Sequence, residues 1–167
     1  MKDTFEQLRL NSQKHSNIKP VNLALGSETC EKMIRIRDNS ELNTLVDSSN
    51  QALTSSEQTE TVCLTTLDQF CKEHQVSRIN LLKMDVQGYE LELLKGADDY
   101  LSQHLIDFVY SEVGFDKTSD ECQQFDALND CLVSYGFRLS GFYEVFRWGA
   151  NKRYFGFCNA LFVNCHL

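Results

Sequence analysis

The sequence predicts an α/β fold whose sheet is mostly parallel and ends in an antiparallel hairpin. The run 79–85 is mostly apolar, as expected of a parallel strand with both faces covered. Strand-like runs of this kind alternate with helical segments along the middle of the chain. Two further strand-like runs, 137–148 and 154–163, flank the turn residues 149–153 and form a hairpin. This order of elements predicts a parallel sheet with one antiparallel strand near its end.

The length and charge of the chain limit the classes of protein to which it can belong. We expect 167 residues to form a single domain, over 1–167, that is large enough for a hydrophobic core. With 16 basic and 24 acidic residues the net charge is −8, which argues against a nucleic-acid partner because that contact needs a basic surface. No apolar run has the length of a membrane span, and the first residues lack a hydrophobic signal. We therefore expect a cytoplasmic protein without membrane contact.

The cysteines favour reduced thiols over a disulfide framework. There are seven of them, an odd number, and none forms a C-x-x-C pair. The nearest spacing to a metal site is Cys71-x-x-His74, but both residues share a helical stripe with Leu67 and Phe70, as in a core face. A zinc site needs four ligands, so we expect no metal site here.

The first part of the chain predicts short elements. Asp3 can cap a first helix. The run 18–25 has the pattern of a strand, and 33–37 alternates apolar with basic residues, which indicates a half-exposed strand. The segment 47–60 is rich in Ser, Thr, Gln and Glu and predicts a surface loop. A short strand is expected over 62–64.

Capping signals mark the later helices. The segment 65–68 (T-x-x-D) predicts a capping box for a helix that ends near residue 74, and 88–96 predicts a short helix that stops at its glycine. The run 105–113 predicts a second buried strand. A further capping box, 118–121, precedes a helix whose predicted inner face consists of Cys122, Phe125, Leu128, Leu132 and Tyr135.

Candidate functional residues follow from position, because familiar catalytic motifs are absent from the sequence. In an open α/β sheet, ligands bind outside the carboxyl ends of the strands. Asp85 ends one predicted buried strand, and Glu112 lies near the end of the next. A carboxylate there can orient a substrate hydroxyl or accept its proton. Alternatively, each carboxylate caps the following turn through backbone N–H groups, and position alone leaves both interpretations open.

Four segments of the chain form a longer pattern. They are 65–68 (TTLD), 81–97 (LLKMDVQGYELELLKGA), 110–113 (YSEV) and, more weakly, 159–163 (NALFV). Together they resemble the FkbM family of S-adenosylmethionine-dependent methyltransferases, whose signature is TLD followed by (I/L)K(I/L)DVEGxExxVLKGA. Gln87 stands where Glu is commoner in the family, and Asn159 stands where Asp is frequent.

The resemblance implies a Rossmann-like methyltransferase fold with a seven-stranded sheet in the order 3-2-1-4-5-7-6. It implies that Asp85 lies beside the methyl donor, S-adenosylmethionine, and that Glu112 is the acidic residue at the end of the fifth strand. It also implies that Ala24 and Leu25 end the third strand, where the adenine packs. Family members typically methylate hydroxyl groups of sugars, polyketides or lipids, with catalysis resting largely on positioning.

The sequence departs from the family at its start, where we find neither the glycine-rich cofactor turn nor the ribose-binding acid. We therefore expect an incomplete domain in which strand 18–25 lies next to 79–85 or at an edge. The interpretations left open are a fragment of a longer methyltransferase, a non-catalytic remnant that acts as an interaction module, and one half of a split enzyme whose partner chain supplies the missing part. We expect the isolated chain to be inactive or weakly active. The basic hairpin residues Arg147, Lys152 and Arg153 lie on the expected acceptor side.

Overall fold

The computed structural model describes residues 2–36, 45, 59–116 and 122–167. Its helices are α1 (Lys2–Ser12), α2 (Leu67–Glu73), α3 (Glu90–Lys95), α4 (Asp98–Ser102) and α5 (Phe125–Ser134). Its strands are β1 (Ala24–Leu25), β2 (Cys30–Arg35), β3 (Thr59–Thr65), β4 (Ile79–Met84), β5 (Ile106–Gly114), β6 (Phe137–Tyr143), β7 (Arg147–Trp148), β8 (Tyr154–Phe155) and β9 (Phe157–Asn164). A 3-10 turn, Ala150–Lys152, connects β7 and β8. No helix among these residues has the length and hydropathy needed to cross a membrane.

The main sheet has four strands in the order β4-β5-β9-β6. The predicted strands 79–85 and 105–113 are adjacent and parallel, and the terminal hairpin lies beside them, as expected. This order agrees with the 4-5-7-6 portion of the order that the resemblance implies. The expectation of a mostly parallel sheet is wrong, because β9 runs antiparallel to both of its neighbours and the strands are divided among separate, mixed sheets.

The predicted strand 18–25 is largely absent. Only Ala24 and Leu25 form a strand. They do not lie next to β4 but pair in parallel with β3 at the edge of a smaller sheet, which is the second of the two expected positions. Pro20 has no backbone N–H and interrupts the run, which explains why the earlier residues join no sheet. The resulting three-stranded sheet has the order β1-β3-β2, with β2 antiparallel to β3.

Several predicted boundaries also shift. Asp3 lies inside α1 and cannot be its N-cap. The strand expected over 33–37 begins at Cys30, and the one expected over 62–64 extends from Thr59 to Thr65, so the end of the predicted loop 47–60 belongs to a strand. The helix expected after 118–121 begins at Phe125 and excludes Cys122. The predicted capping box 118–121 and most of the predicted loop lie outside the described residues.

One face of the main sheet carries the hydrophobic core. Leu82, Val109 and Phe162 are neighbours in the sheet and are all buried. Helices α2 to α5 contribute the other side of this core through buried residues that include Leu67, Leu94, Leu101, Leu128 and Leu132. Full burial of each such side chain contributes about 1.5–3 kcal/mol. The packing fixes β4 and β5, whose carboxyl ends carry both predicted catalytic residues.

Candidate functional site

The two predicted catalytic carboxylates lie side by side. The register of the parallel pair aligns Met84 of β4 with Ser111 of β5. The residues that follow them, Asp85 and Glu112, are therefore neighbours on adjacent chain segments. The negative charge of Asp85 acts on Glu112 strongly enough to contribute to its pKa. The fold therefore brings the two carboxylates together at the carboxyl end of the parallel pair, where ligands bind in α/β proteins.

Asp85 has an exposed side chain that is held by other side chains. Its carboxylate accepts hydrogen bonds from Lys83 Nζ at 3.0 Å and from Gln87 Nε2 at 3.2 Å. These bonds go to side chains, so the turn-cap interpretation does not describe Asp85. The ion pair with Lys83 is exposed on both sides and adds little stability. Asp85 is thus oriented and accessible to a ligand.

Glu112 lies in a less polar environment than Asp85. Its side chain is half-buried, and Cys122 Sγ donates a hydrogen bond to Glu112 Oε1 at 3.2 Å. Burial raises the pKa of Glu112; the bond from Cys122 opposes this effect, and the charge of Asp85 adds to it. A carboxylate with a raised pKa is a stronger base than an ordinary one, so Glu112 suits the role of proton acceptor.

Glu90 is a third carboxylate of the site, which the sequence analysis missed. It is only 1% exposed, and its Oε1 accepts a hydrogen bond from the backbone N–H of Val86 at 3.2 Å. Its Oε2 has no hydrogen-bond partner within the part of the chain that the structure describes. Burial raises the pKa of Glu90, backbone N–H groups lower it, and the charge of Glu112 raises it. The turn between Asp85 and α3 has left-handed φ angles of 52° at Gln87 and 88° at Gly88. The buried carboxyl group of Glu90 stabilises this turn through its bond to Val86.

A signal for Glu90 was present in the sequence. In α3 the buried residues are Glu90, Leu93 and Leu94, which have the i, i+3, i+4 spacing of a single helix face. A charged residue on an otherwise apolar face is rarely buried without a role, so this spacing could have identified it.

Asn159 and Glu144 extend the polar site across the sheet. Asn159 of β9 pairs with Glu112 in the register, and its Nδ2 donates a hydrogen bond to Glu144 Oε2 at 2.7 Å. Tyr110 donates to the same oxygen at 3.1 Å. Glu144 has a left-handed φ of 50°, an uncommon backbone conformation for a residue with a side chain. Asp85, Glu112 and Asn159 thus form a polar row.

Ala24 and Leu25, the predicted cofactor-binding residues, lie half-buried at the end of β1. The next residue, Gly26, is packed so closely that an added Cβ would approach the ring of Tyr89 at 3.2 Å. Tyr89 belongs to the turn that connects Asp85 to α3. The structure therefore brings the end of β1 next to the turn that follows Asp85, although β1 and β4 belong to different sheets.

An open pocket of about 480 Å³ lies between these two segments. Ser27, Glu28 and Lys32 line one side of the pocket, and Gly88 and Tyr89, from the turn that follows Asp85, line the other. Lys32 Nζ lies 5.3 Å from the centre of the Tyr89 ring. The pocket offers a flat ring and carboxylate oxygens, within the volume range typical of small-molecule sites. No cluster of His, Cys, Asp and Glu that could hold a metal ion is found among the described residues.

Comparison with known proteins identifies the family. The sequence profile of the methyltransferase FkbM domain matches residues 2–139, which is most of the chain. The chain belongs to the FkbM methyltransferase family. Neither a curated protein nor a solved structure matches it significantly. FkbM methyltransferases generally use S-adenosylmethionine as methyl donor.

The pocket beside Tyr89 fits the adenosine part of this donor. The carboxylate of Glu28 can accept hydrogen bonds from ribose hydroxyls, and the Tyr89 ring offers a stacking surface for a purine. The amino-acid part lacks a glycine cradle among the described residues. An added Cβ at Gly26 would approach Tyr89, and one at Gly96 would clash with the carbonyl of Gly26. Protein atoms therefore already occupy the space beside both glycines, where a cofactor would have to bind.

Proposed function

We propose that the protein is an S-adenosylmethionine-dependent O-methyltransferase that acts on a hydroxyl group of a sugar, lipid or polyketide-like acceptor. The observation that carries this proposal is the pairing of Asp85 with Glu112 at the carboxyl ends of β4 and β5, next to a pocket of nucleoside size. Membership of the FkbM family supports it.

The residues of this chain take different parts in the proposed reaction. Glu112 would accept the proton of the acceptor hydroxyl as the hydroxyl oxygen bonds to the methyl carbon, and the bond between that carbon and the donor sulfur would break to leave a neutral thioether. Asp85 orients that hydroxyl and compensates positive charge in the site. Ala24, Leu25 and Asp85 are the proposed cofactor contacts. When bound, S-adenosylmethionine supplies a methyl group on a positively charged sulfur atom, so a carboxylate-rich site favours its binding.

The donor site can be tested by nuclear magnetic resonance titration of the full chain, labelled with nitrogen-15, with S-adenosylmethionine. We expect saturable shifts at Ser27, Glu28 and Tyr89. The dissociation constant should be about millimolar, because the amino-acid part lacks its cradle. Glu28→Gln should weaken binding several-fold, whereas Glu31→Gln, an exposed acid nearby that does not line the pocket, should not. The absence of saturable shifts near Tyr89 would refute this donor site.

A second candidate is a methyltransferase half that binds the donor fully only together with a second chain. Within the described residues, β4 pairs with β5 alone, which leaves its other edge unpaired, and Leu81 is 56% exposed. Unpaired strand edges recruit further strands. If a second copy of the chain completes the site, sedimentation equilibrium should detect self-association that Leu81→Glu abolishes, whereas a chain that stays monomeric excludes this form of the candidate. A monomer that binds the donor at micromolar concentration excludes the candidate as a whole.

We also propose a cytoplasmic location without nucleic-acid or membrane partners. None of the seven cysteines forms a disulfide in the structure, as is usual in a reducing compartment. The net charge of −8 disfavours binding to nucleic acid. Fractionation of cells that express a tagged chain would test the location.

A further inference from the structure

A second pocket, of about 310 Å³, lies beside Glu112. Gly114, which lines it, is two residues beyond Glu112 on β5, or about 7 Å at the rise of a strand. Cys122 lines the same pocket and donates a hydrogen bond to Glu112. A small molecule in this pocket is therefore within reach of the proposed proton acceptor.

Aromatic rings form the outer wall of this pocket. Phe146 and Phe157 stack with their ring centres 4.8 Å apart, and Phe155 packs edge-on against Phe115 at 5.0 Å. Backbone hydrogen bonds fix Phe146, because its N–H donates to Phe157 O at 2.8 Å. Trp148 completes the wall and is 54% exposed. The rings are thus oriented before a ligand binds, which lowers the entropic cost of binding.

The lining also includes polar groups. Asp116 and Gln124 lie in the pocket, and Gln124 Nε2 donates a hydrogen bond to the backbone carbonyl of Asp116 at 2.8 Å. Flat apolar rings beside carboxylate and amide oxygens complement a molecule that has an apolar C–H face and hydroxyl groups at its edge, which describes a sugar ring. The volume is at the low end of the range for small-molecule sites and suits one ring better than an extended acyl chain.

We infer that this aromatic pocket binds one sugar ring, which makes it the acceptor subsite of the proposed methyltransferase. The methyl-transfer step rests on the proposed function, whereas the binding of the sugar does not. The seated ring presents a hydroxyl group toward Glu112, and Trp148 and Phe155 select for the flat face of the ring.

The chain contains a single tryptophan, so Trp148 fluorescence reports directly on this pocket. The full chain is titrated with the methyl glycosides of glucose, galactose, mannose and fucose, up to tens of millimolar. Sorbitol serves as the control, because it has similar hydroxyl groups but no ring. We expect a saturable change in emission with at least one glycoside and none with sorbitol.

A pair of variants tests the aromatic wall. Phe155→Leu keeps an apolar side chain but removes the flat ring, and we expect it to weaken glycoside binding about tenfold. Leu139→Ala alters a partly exposed residue of β6 outside the pocket and should leave binding unchanged. Thermal unfolding of both variants checks that each is folded.

Two results with the glycosides would overturn the inference: the absence of a response to every glycoside, or glycoside binding that Phe155→Leu leaves unchanged. A response to a phenol alone would mean that the pocket selects aromatic acceptors, and it also overturns the inference. The donor titration separates the two proposals. Donor binding without a glycoside response refutes only the sugar site, whereas a glycoside response without donor binding supports the sugar site and refutes the donor site of the isolated chain.

Discussion

At the scale of single residues, two neighbouring carboxylates differ in their surroundings. Asp85 is exposed and bound by Lys83 and Gln87, whereas Glu112 is half-buried and bound by Cys122. Burial raises the pKa of Glu112. Paired carboxylates with different environments take different roles in catalysis. These different surroundings support the proposed division of roles, in which Glu112 accepts the proton and Asp85 orients the hydroxyl group.

In a domain completed by the missing cofactor segment, Asp85→Asn is expected to lower methyl-transfer turnover about 10²-fold or more, the usual scale for a positioned acid or base. Folding should stay intact, because the replacement is nearly isosteric and the side chain is exposed. Turnover is measured with a bound acceptor, and thermal unfolding serves as the control. Wild-type turnover in this variant would mean that Asp85 is only a surface residue.

Cys122→Ala is expected to raise the pKa of Glu112 further, since the hydrogen bond from Cys122 favours the charged form of the carboxylate. The titration of the Glu112 carboxyl carbon can be followed by carbon-13 nuclear magnetic resonance. Cys131→Ala changes another half-buried thiol, on α5, and should leave that titration unchanged. A pKa that stays the same or falls in Cys122→Ala would contradict the assigned hydrogen bond.

Sequence reasoning predicted the two strands that carry Asp85 and Glu112 at or near their carboxyl ends, and the structure confirms both strands, although three residues of β4 are exposed. It missed Glu90 for a physical reason. Glutamate on a short helix is normally exposed. The spacing of Glu90 with Leu93 and Leu94 indicates a shared helix face, and the tertiary fold adds that Glu90 is buried there and accepts a bond from the N–H of Val86. The role of Asn159 depends on a strand pairing that the sequence does not specify.

At the scale of elements, local signals were reliable where tertiary contacts did not compete with them. The predicted capping box 65–68 shows the limit. Thr66, and not Thr65, caps α2 by accepting a bond from the N–H of Gln69, while Asp68 accepts bonds from the N–H groups of Asp99 and Tyr100 at the start of α4. The sequence pattern predicts that a cap is present, but the fold decides which helix each side chain caps.

Gly96 connects the small sheet to the catalytic segment. A Cβ at this position would clash with the backbone carbonyl of Gly26, so Gly96→Ala must push β1 away from α3. We expect a loss of about 1–3 kcal/mol in the free energy of unfolding, the usual cost of overpacking. Urea denaturation measures it.

Gly141→Ala provides the matched control for Gly96→Ala. A Cβ at Gly141 would make only ordinary contacts, at 3.4 Å, with the ring of Tyr143. Its stability should stay close to that of the wild type. Equal stability of Gly96→Ala and the wild type would show that the turn after β1 does not depend on this close packing.

At the scale of the whole molecule, buried acids should govern how stability depends on pH. Burial raises the pKa of Asp68, Glu90 and Glu112. For such a group the stabilising contribution is complete below its ordinary pKa and is lost as pH rises through the raised value. Asp107 and Glu92 have lowered pKa values, through bonds to Arg78 and Lys95 respectively. Their contribution is lost only as pH falls below their ordinary values of 3.8 and 4.5.

The free energy of unfolding should therefore fall as pH rises above the ordinary pKa values of these acids, 3.8 to 4.5, because the acids with raised pKa values lose their protons above that range. Repulsion among the excess negative charges changes stability in the same direction, and added salt screens that part. Urea denaturation at pH values above that range measures the slope. The double variant Glu90→Gln with Glu112→Gln should flatten it, whereas Glu31→Gln, an exposed acid, should not. A slope that is level or rising in the wild type at high salt would mean that these carboxyl groups are ionised in the folded protein without cost.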